Sequence, residues 1–267
     1  MTLEFCSLAS GSSGNCQYIA SNSTKLILDA GLSGKYVTNG LLSINVDPTT
    51  VNGILVTHEH TDHVKGVGIL MRKYGWDLYV NESTWKAMES KMGKVNHDKI
   101  HFIEKDKEFT IGDIQILPFE ISHDAVDPVG YSFIKGDGNI SVLTDLGIVT
   151  DKIIDVVKHS DLLVMEANHD IEMLKIGPYP GYLKKRILSE KGHLSNVDAG
   201  KVLGKIMEYG KVKNVLLAHL SKENNFPDLA YETVKQELET KDILLGKDIN
   251  VELTYRDRVS KIYRINP

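Results

Sequence analysis

Gly53-Ile54-Leu55-Val56-Thr57-His58-Glu59-His60-Thr61-Asp62-His63 runs from four apolar-rich residues straight into three histidines and two carboxylates. Gly53 to Val56 reads as a strand, and the apolar periodicity from Val64 to Tyr74 reads as a helix, so the histidines sit on the loop between them. A neutral imidazole is the commonest nitrogen ligand of transition metals. Three of them beside a carboxylate within six residues converge usefully only on cations. One surface histidine would need no such explanation, but this density does.

Short apolar runs bounded by Gly, Asn or Asp recur on either side of that loop. Lys25 to Leu28, Asp113 to Leu117, Tyr131 to Ile134, Ile140 to Leu143, Leu162 to Met165, Val215 to Ala218, Val251 to Thr254 and Lys261 to Arg264 all read as strands. Helical periodicity marks Ser83 to Lys91, Thr150 to Lys158, Ser195 to Tyr209 and Asp228 to Glu239. The chain is therefore α/β. The interleaving fits either a doubly wound sheet or two mixed sheets packed face to face and flanked by helices.

The 267 residues carry 42% hydrophobic and 25% charged side chains and a formal charge of −5. With no repeat or linker between the halves, residues 1–267 are expected to form a single domain with a sizeable core. A mildly acidic chain has no overall electrostatic attraction for nucleic acid, so a phosphate-rich substrate needs a local basic patch or bound cations. Two cysteines, Cys6 and Cys16, exclude a disulfide framework and a cysteine-rich zinc module. No leader or membrane-span pattern is legible, so a cytoplasmic protein with no membrane partner is expected.

The string His58-Glu59-His60-Thr61-Asp62-His63 resembles the H-x-H-x-D-H signature of the metallo-β-lactamase superfamily. Further elements resemble that family in the same order: Asp29 after the run Lys25 to Leu28, His123 after Phe119 to Ser122, Asp145 after Val142 to Thr144, and His219 after Val215 to Ala218. The resemblance implies an αββα sandwich of two mixed β-sheets flanked by helices, with the site along one edge. It implies that His58, His60 and His123 bind one metal, that Asp62, His63 and His219 bind another, that Asp145 bridges them, and that Asp29 holds the histidine loop. Two divalent ions are the implied cofactors. Nitrogen-rich ligation suits zinc, while Asp62 and Asp145 also admit manganese or iron.

Details within the resemblance narrow the chemistry. Metallo-β-lactamases proper commonly carry Cys where this chain has Asp145, and flavin-linked di-iron reductases carry Glu where it has His60. Ser160 to Ala167 resembles the strand of tRNA 3′-processing nucleases that ends in a glutamate, here Glu166, and Lys191 to Ser195 resembles their G-H-S-T element, here with His193. In those phosphodiesterases the glutamate orients the histidine toward the scissile phosphate. Over the whole chain the sequence is similar to a bacterial group, the YycJ or WalJ type, through Leu8 to Cys16, Glu166 to Asp170, Gly192 to Asn196 and His219 to Asn225. Members of that group are regarded as DNA exonucleases, so the resemblance favours DNA over RNA as substrate. Neither the long arm of tRNA-processing enzymes nor the inserted β-CASP domain is evident.

The implied reaction is phosphodiester hydrolysis by two metals, with Asp62 orienting the attacking water and His193, oriented by Glu166, acting on the leaving group. A cyclic-phosphate diesterase and a glyoxalase-like thioester or lactone hydrolase remain open on the same scaffold. Weaker substrate contacts are Ser12 and Ser13, in a loop that is either a phosphate cradle or a plain turn; Lys184 and Arg186, on a helix that either grips a backbone or is simply solvated; Lys222 and Asn225, in the polar run that follows His219; and His169, either a substrate contact or a hydrogen-bonded loop residue.

Overall fold

The computed structural model describes residues 2–265. Its strands are β1 (Leu3–Ala9), β2 (Cys16–Ala20), β3 (Lys25–Leu28), β4 (Gly53–Leu55), β5 (Asp77–Val80), β6 (Ile100–Phe102), β7 (Phe109–Ile111), β8 (Ile114–Glu120), β9 (Val129–Lys135), β10 (Gly138–Leu143), β11 (Leu162–Glu166), β12 (Asn214–Ala218), β13 (Asn250–Leu253) and β14 (Tyr263–Ile265). They form two seven-stranded sheets, ordered β14-β1-β2-β3-β4-β5-β6 and β13-β12-β11-β10-β9-β8-β7. Each sheet mixes antiparallel and parallel pairs, so of the two architectures left open by periodicity the mixed-sheet one is realised.

Two compact units emerge. One takes the chain up to Glu120, Ala125–Gly138 and the chain from Tyr255 on; the other takes Ile121–Asp124 and Asn139–Thr254.

In the first unit, β3, β4 and β5 run parallel, with Ile27 opposite Ile54 and Ile54 opposite Leu78. The helices Gly34–Ser43, Val67–Tyr74 and Glu82–Met92 bury Val37, Leu41, Leu70 and Met88 in the same core as Leu8, Ile54 and Trp76. Each such side chain taken out of water contributes roughly 1.5–3 kcal/mol. Trp76 buries its indole yet donates Nε1–H to the Pro48 carbonyl at 2.8 Å, so its polar atom is satisfied.

One helix differs from expectation. Val64 to Tyr74 is not continuous: a short helix Thr61–Val64 ends before Gly66, and a second spans Val67–Tyr74. Gly66 donates its N–H to the Ala30 carbonyl at 2.7 Å, and a Cβ there would lie 2.4 Å from the Leu32 carbonyl oxygen. Apolar spacing continues across the break, which is why periodicity alone missed it.

In the second unit, β10, β11, β12 and β13 are all parallel, with Val142 opposite Val164 and Val164 opposite Leu216. The helices Asp151–Val157, Asn196–Tyr209 and Pro227–Glu239 make the crossovers. Parallel strands send their carboxyl ends to one edge, and loops leaving that edge are where such sheets bind ligands. Asp145, Glu166 and His219 all lie at the carboxyl ends of adjacent strands. Among the described residues, no helix is long and apolar enough to cross a membrane.

Candidate metal centre

In the first unit the site grows from the ends of β3 and β4. Asp29 follows β3 in the left-handed region, φ 58°, and turns its carboxylate toward the loop that follows β4. Aspartate tolerates that region better than most residues, and such conformations gather at functional sites. Asp29 Oδ1 accepts the Thr57 N–H at 2.9 Å; Oδ2 accepts the Thr57 hydroxyl at 2.8 Å and His63 Nδ1–H at 2.7 Å. With its own proton on Asp29, the Thr57 hydroxyl accepts from His58 Nδ1–H at 2.9 Å. One buried carboxylate thereby assigns the tautomers of two histidines, directing Nε2 of each away from the protein scaffold.

His58 and His63 are fully buried, and the His58 ring lies 4.6 Å from that of His60 and 4.1 Å from that of His63. The partly exposed Asp62 places Oδ2 3.8 Å from His63 Nε2. Asn15 Nδ2 also reaches His63 Nε2, at 3.0 Å, so an ion held by that nitrogen would have to take the place of the amide. Gly31 lets the two loops meet: a Cβ at Gly31 would fall 1.5 Å from the Asp62 carbonyl oxygen, which accepts the Asn15 N–H at 2.8 Å.

In the second unit the organising group is Glu166, fully buried at the end of β11. Its Oε1 accepts His193 Nδ1–H at 2.9 Å and His219 Nδ1–H at 2.7 Å; Oε2 accepts the backbone N–H of Leu194 at 3.0 Å and Leu146 at 3.2 Å. Burial by itself would raise this carboxyl's pKa, but the two imidazoles and their hydrogen bonds outweigh it and bring it down to about 2. The strand register explains the double contact, since Glu166 is paired with Ala218, the residue before His219. Asp145, φ 60°, and His219, φ 57°, both leave their strands in the left-handed region, and Asp145 Oδ1 lies 3.3 Å from His219 Nδ1. Asp145, Glu166, His193 and His219 each bring one donor atom within 4.8 Å of the others. His123 donates Nδ1–H to the Gly192 carbonyl at 3.2 Å, and burial depresses its pKa, which keeps the imidazole neutral as a ligand must be.

His58, His63, His123 and His219 thus share one device: each buried ring has Nδ1 on an oxygen acceptor, which leaves Nε2 to ligate. Histidines that hold metal ions are oriented in this way, so the donor set fits divalent transition ions. Sequence reasoning paired Glu166 with His193 alone and missed its hold on His219. It also missed Thr57 and Asn15 as orienting groups; position immediately before His58 was the only signal for Thr57.

The weaker candidates are placed as follows. Ser12 and Ser13 are exposed on a turn in which Gly14 N–H bonds the Gly11 carbonyl and Gly11 N–H bonds Asn15 Oδ1. Asn225 is buried and braces the loop after β11, donating to the carbonyls of Ala167 and Asn168 at 3.0 Å. His169 is buried too, and burial lowers its pKa to about 4. Lys222 is exposed, Lys184 donates to the Lys175 carbonyl at 2.7 Å, and Arg186 pairs with Asp124.

Residues 24–220 match the model of the β-lactamase superfamily domain. The chain is 46% identical over 260 residues to the exodeoxyribonuclease WalJ of Streptococcus pneumoniae serotype 2 (strain D39 / NCTC 7466), covering 97% of this chain and 96% of that one. It is 41% identical over 262 residues to the exodeoxyribonuclease YycJ of Bacillus anthracis, covering 98% and 99%. Among solved structures, the metallo-β-lactamase fold protein YhfI from Bacillus subtilis superimposes with a TM-score of 0.73 at 16% identity, over 99% of this chain and 100% of that one. The short form of human tRNase Z does so with a TM-score of 0.63 at 15% identity, over 97% and 98%. The sheet order, the histidines and carboxylates at the strand ends and these matches agree: the chain belongs to the β-lactamase superfamily, in the group that contains these WalJ and YycJ proteins.

Proposed function

We propose that this chain, acting as one domain, is a two-metal phosphodiesterase that degrades DNA from an end. The observation that carries this reading is Glu166, one buried carboxylate that fixes both an expected metal ligand, His219, and a histidine outside the ligand set, His193. A ligand-only site would not need the second imidazole. The names of the similar WalJ and YycJ proteins support DNA as the substrate.

The residues that would hold the ions are His58, His60, Asp62 and His63 from the first unit and His123, Asp145 and His219 from the second. When bound, the two divalent ions supply Lewis acidity, neutralising charge on the phosphoryl group and making a water more acidic. The imidazoles suit zinc, and the two aspartates also accept manganese or iron. Asp62, partly exposed beside His63, orients the attacking water. His193, with its side chain 19% exposed, hands a proton from Nε2 to the leaving oxygen, while Glu166 holds Nδ1–H and so fixes the ring.

Parallel assays of a nitrophenyl phosphodiester, a glutathione thioester and a β-lactam test the reaction class. The phosphodiester is expected to give by far the largest kcat/KM. A thioester hydrolysed better than the phosphodiester would replace this reading with a glyoxalase-like one.

A further inference from the structure

Residues 171–191 form one of the basic stretches of the chain. They hold five cations, Lys175, Lys184, Lys185, Arg186 and Lys191, against two carboxylates, Glu172 and Glu190, in a protein of net charge −5. They also expose large apolar side chains: Ile176 is 84% and Tyr182 76% accessible, while Leu174 and Ile187 anchor the helices Ile171–Ile176 and Gly181–Ile187 in the interior. The Lys184 ammonium donates to the Lys175 carbonyl and ties the two helices together, so Ile176 and the lysines lie close on the surface.

The segment is braced against the chemistry on both sides. Arg186 pairs with Asp124, the neighbour of His123, and the Ser122 hydroxyl donates to the Glu190 carbonyl at 2.8 Å. At its far end the His193 N–H donates to the Ile187 carbonyl at 3.0 Å. Arg186 therefore serves as a strut, and the exposed Lys185 and Lys191 carry positive charge outward.

We propose that this segment is the surface that holds the unpaired strand of a DNA end whose scissile phosphate lies at His193. The proposal rests on the phosphodiesterase reading above. Tyr182 and Ile176 take the faces of nucleobases, and Lys184, Lys185 and Lys191 take the phosphates between them. An aromatic ring flanked by cations suits single-stranded nucleic acid, since every base has a π-face and every linkage a charge.

Binding of the metal-loaded full chain to a fluorescein-labelled, phosphorothioate single-stranded oligodeoxynucleotide, followed by anisotropy across a salt series, tests this. Tyr182→Ala is expected to weaken binding about 5- to 100-fold, the worth of one stacked base, and Tyr182→Phe to restore it. Lys185→Ala is expected to reduce the slope of log affinity against log salt by about 0.7. Cleavage of a nitrophenyl phosphodiester by the same preparations reports that each variant is folded and loaded. If wild type binds the oligonucleotide but Tyr182→Ala binds it equally well, the patch is overturned, as it would be if it docked a protein, while the nuclease reading stands. If wild type cleaves the small ester but neither binds nor cleaves DNA, the nuclease reading itself is overturned and this proposal with it.

Discussion

Stripping divalent ions with a chelator is expected to lower phosphodiester hydrolysis by at least about 10³-fold, with zinc or manganese restoring it, because the proposed ions supply most of the charge stabilisation. The four buried histidines are set up for this dependence: with Nδ1 held by Thr57, Asp29, Gly192 and Glu166, each ring has only Nε2 left to ligate. A milder perturbation tests the same device. Asp29→Asn puts an amide where three donors now meet a carboxylate, and should weaken metal affinity about 10- to 100-fold in competition with a chelating dye. Full activity in protein with only trace metal would contradict both expectations.

The second large effect is expected at His193. His193→Ala should leave metal content unchanged and lower kcat on DNA roughly 10²–10⁴-fold, the usual worth of a positioned acid or base. The loss should shrink with a nitrophenyl ester, because a good leaving group needs no proton. Glu166→Gln is the informative contrast. Its carboxylate holds His219 as well as His193, so this variant should lose metal affinity and rate together. Metal loss in His193→Ala would instead make that imidazole a ligand, and an equal loss on both substrates would remove its role on the leaving group.

The parts of the fold that were legible are those where a short apolar run ends in a chemically distinctive residue. Lys25–Leu28 before Asp29 and Leu162–Glu166 show this best, since burial on both faces makes such strands continuous in hydrophobicity. β1 was not legible: its seven residues are almost all buried but include Glu4, Cys6 and Ser7, so neither alternation nor an unbroken apolar run marks it. β6, only Ile100–Phe102, is too short to carry a pattern.

The candidate ligands stand out in the sequence because each lies shortly after a strand, whereas the orienting contacts depend on which strands lie side by side. Glu166 reaches His219 only because β11 and β12 are neighbours in parallel register, a pairing 53 residues apart along the chain. Asn225 shows the opposite error of emphasis. It borders a ligand in sequence, yet its amide is spent on the backbone of Ala167 and Asn168.

The most direct measurement of the central claim follows the products released from linear DNA labelled at the 5′ end in one sample and the 3′ end in another, with zinc and manganese supplied separately. Metal-dependent release of the label as a mononucleotide is expected from one of the two samples at the outset, with a descending ladder in the other. DNA left intact under every metal condition, by protein that still cleaves a small cyclic phosphodiester, would contradict it.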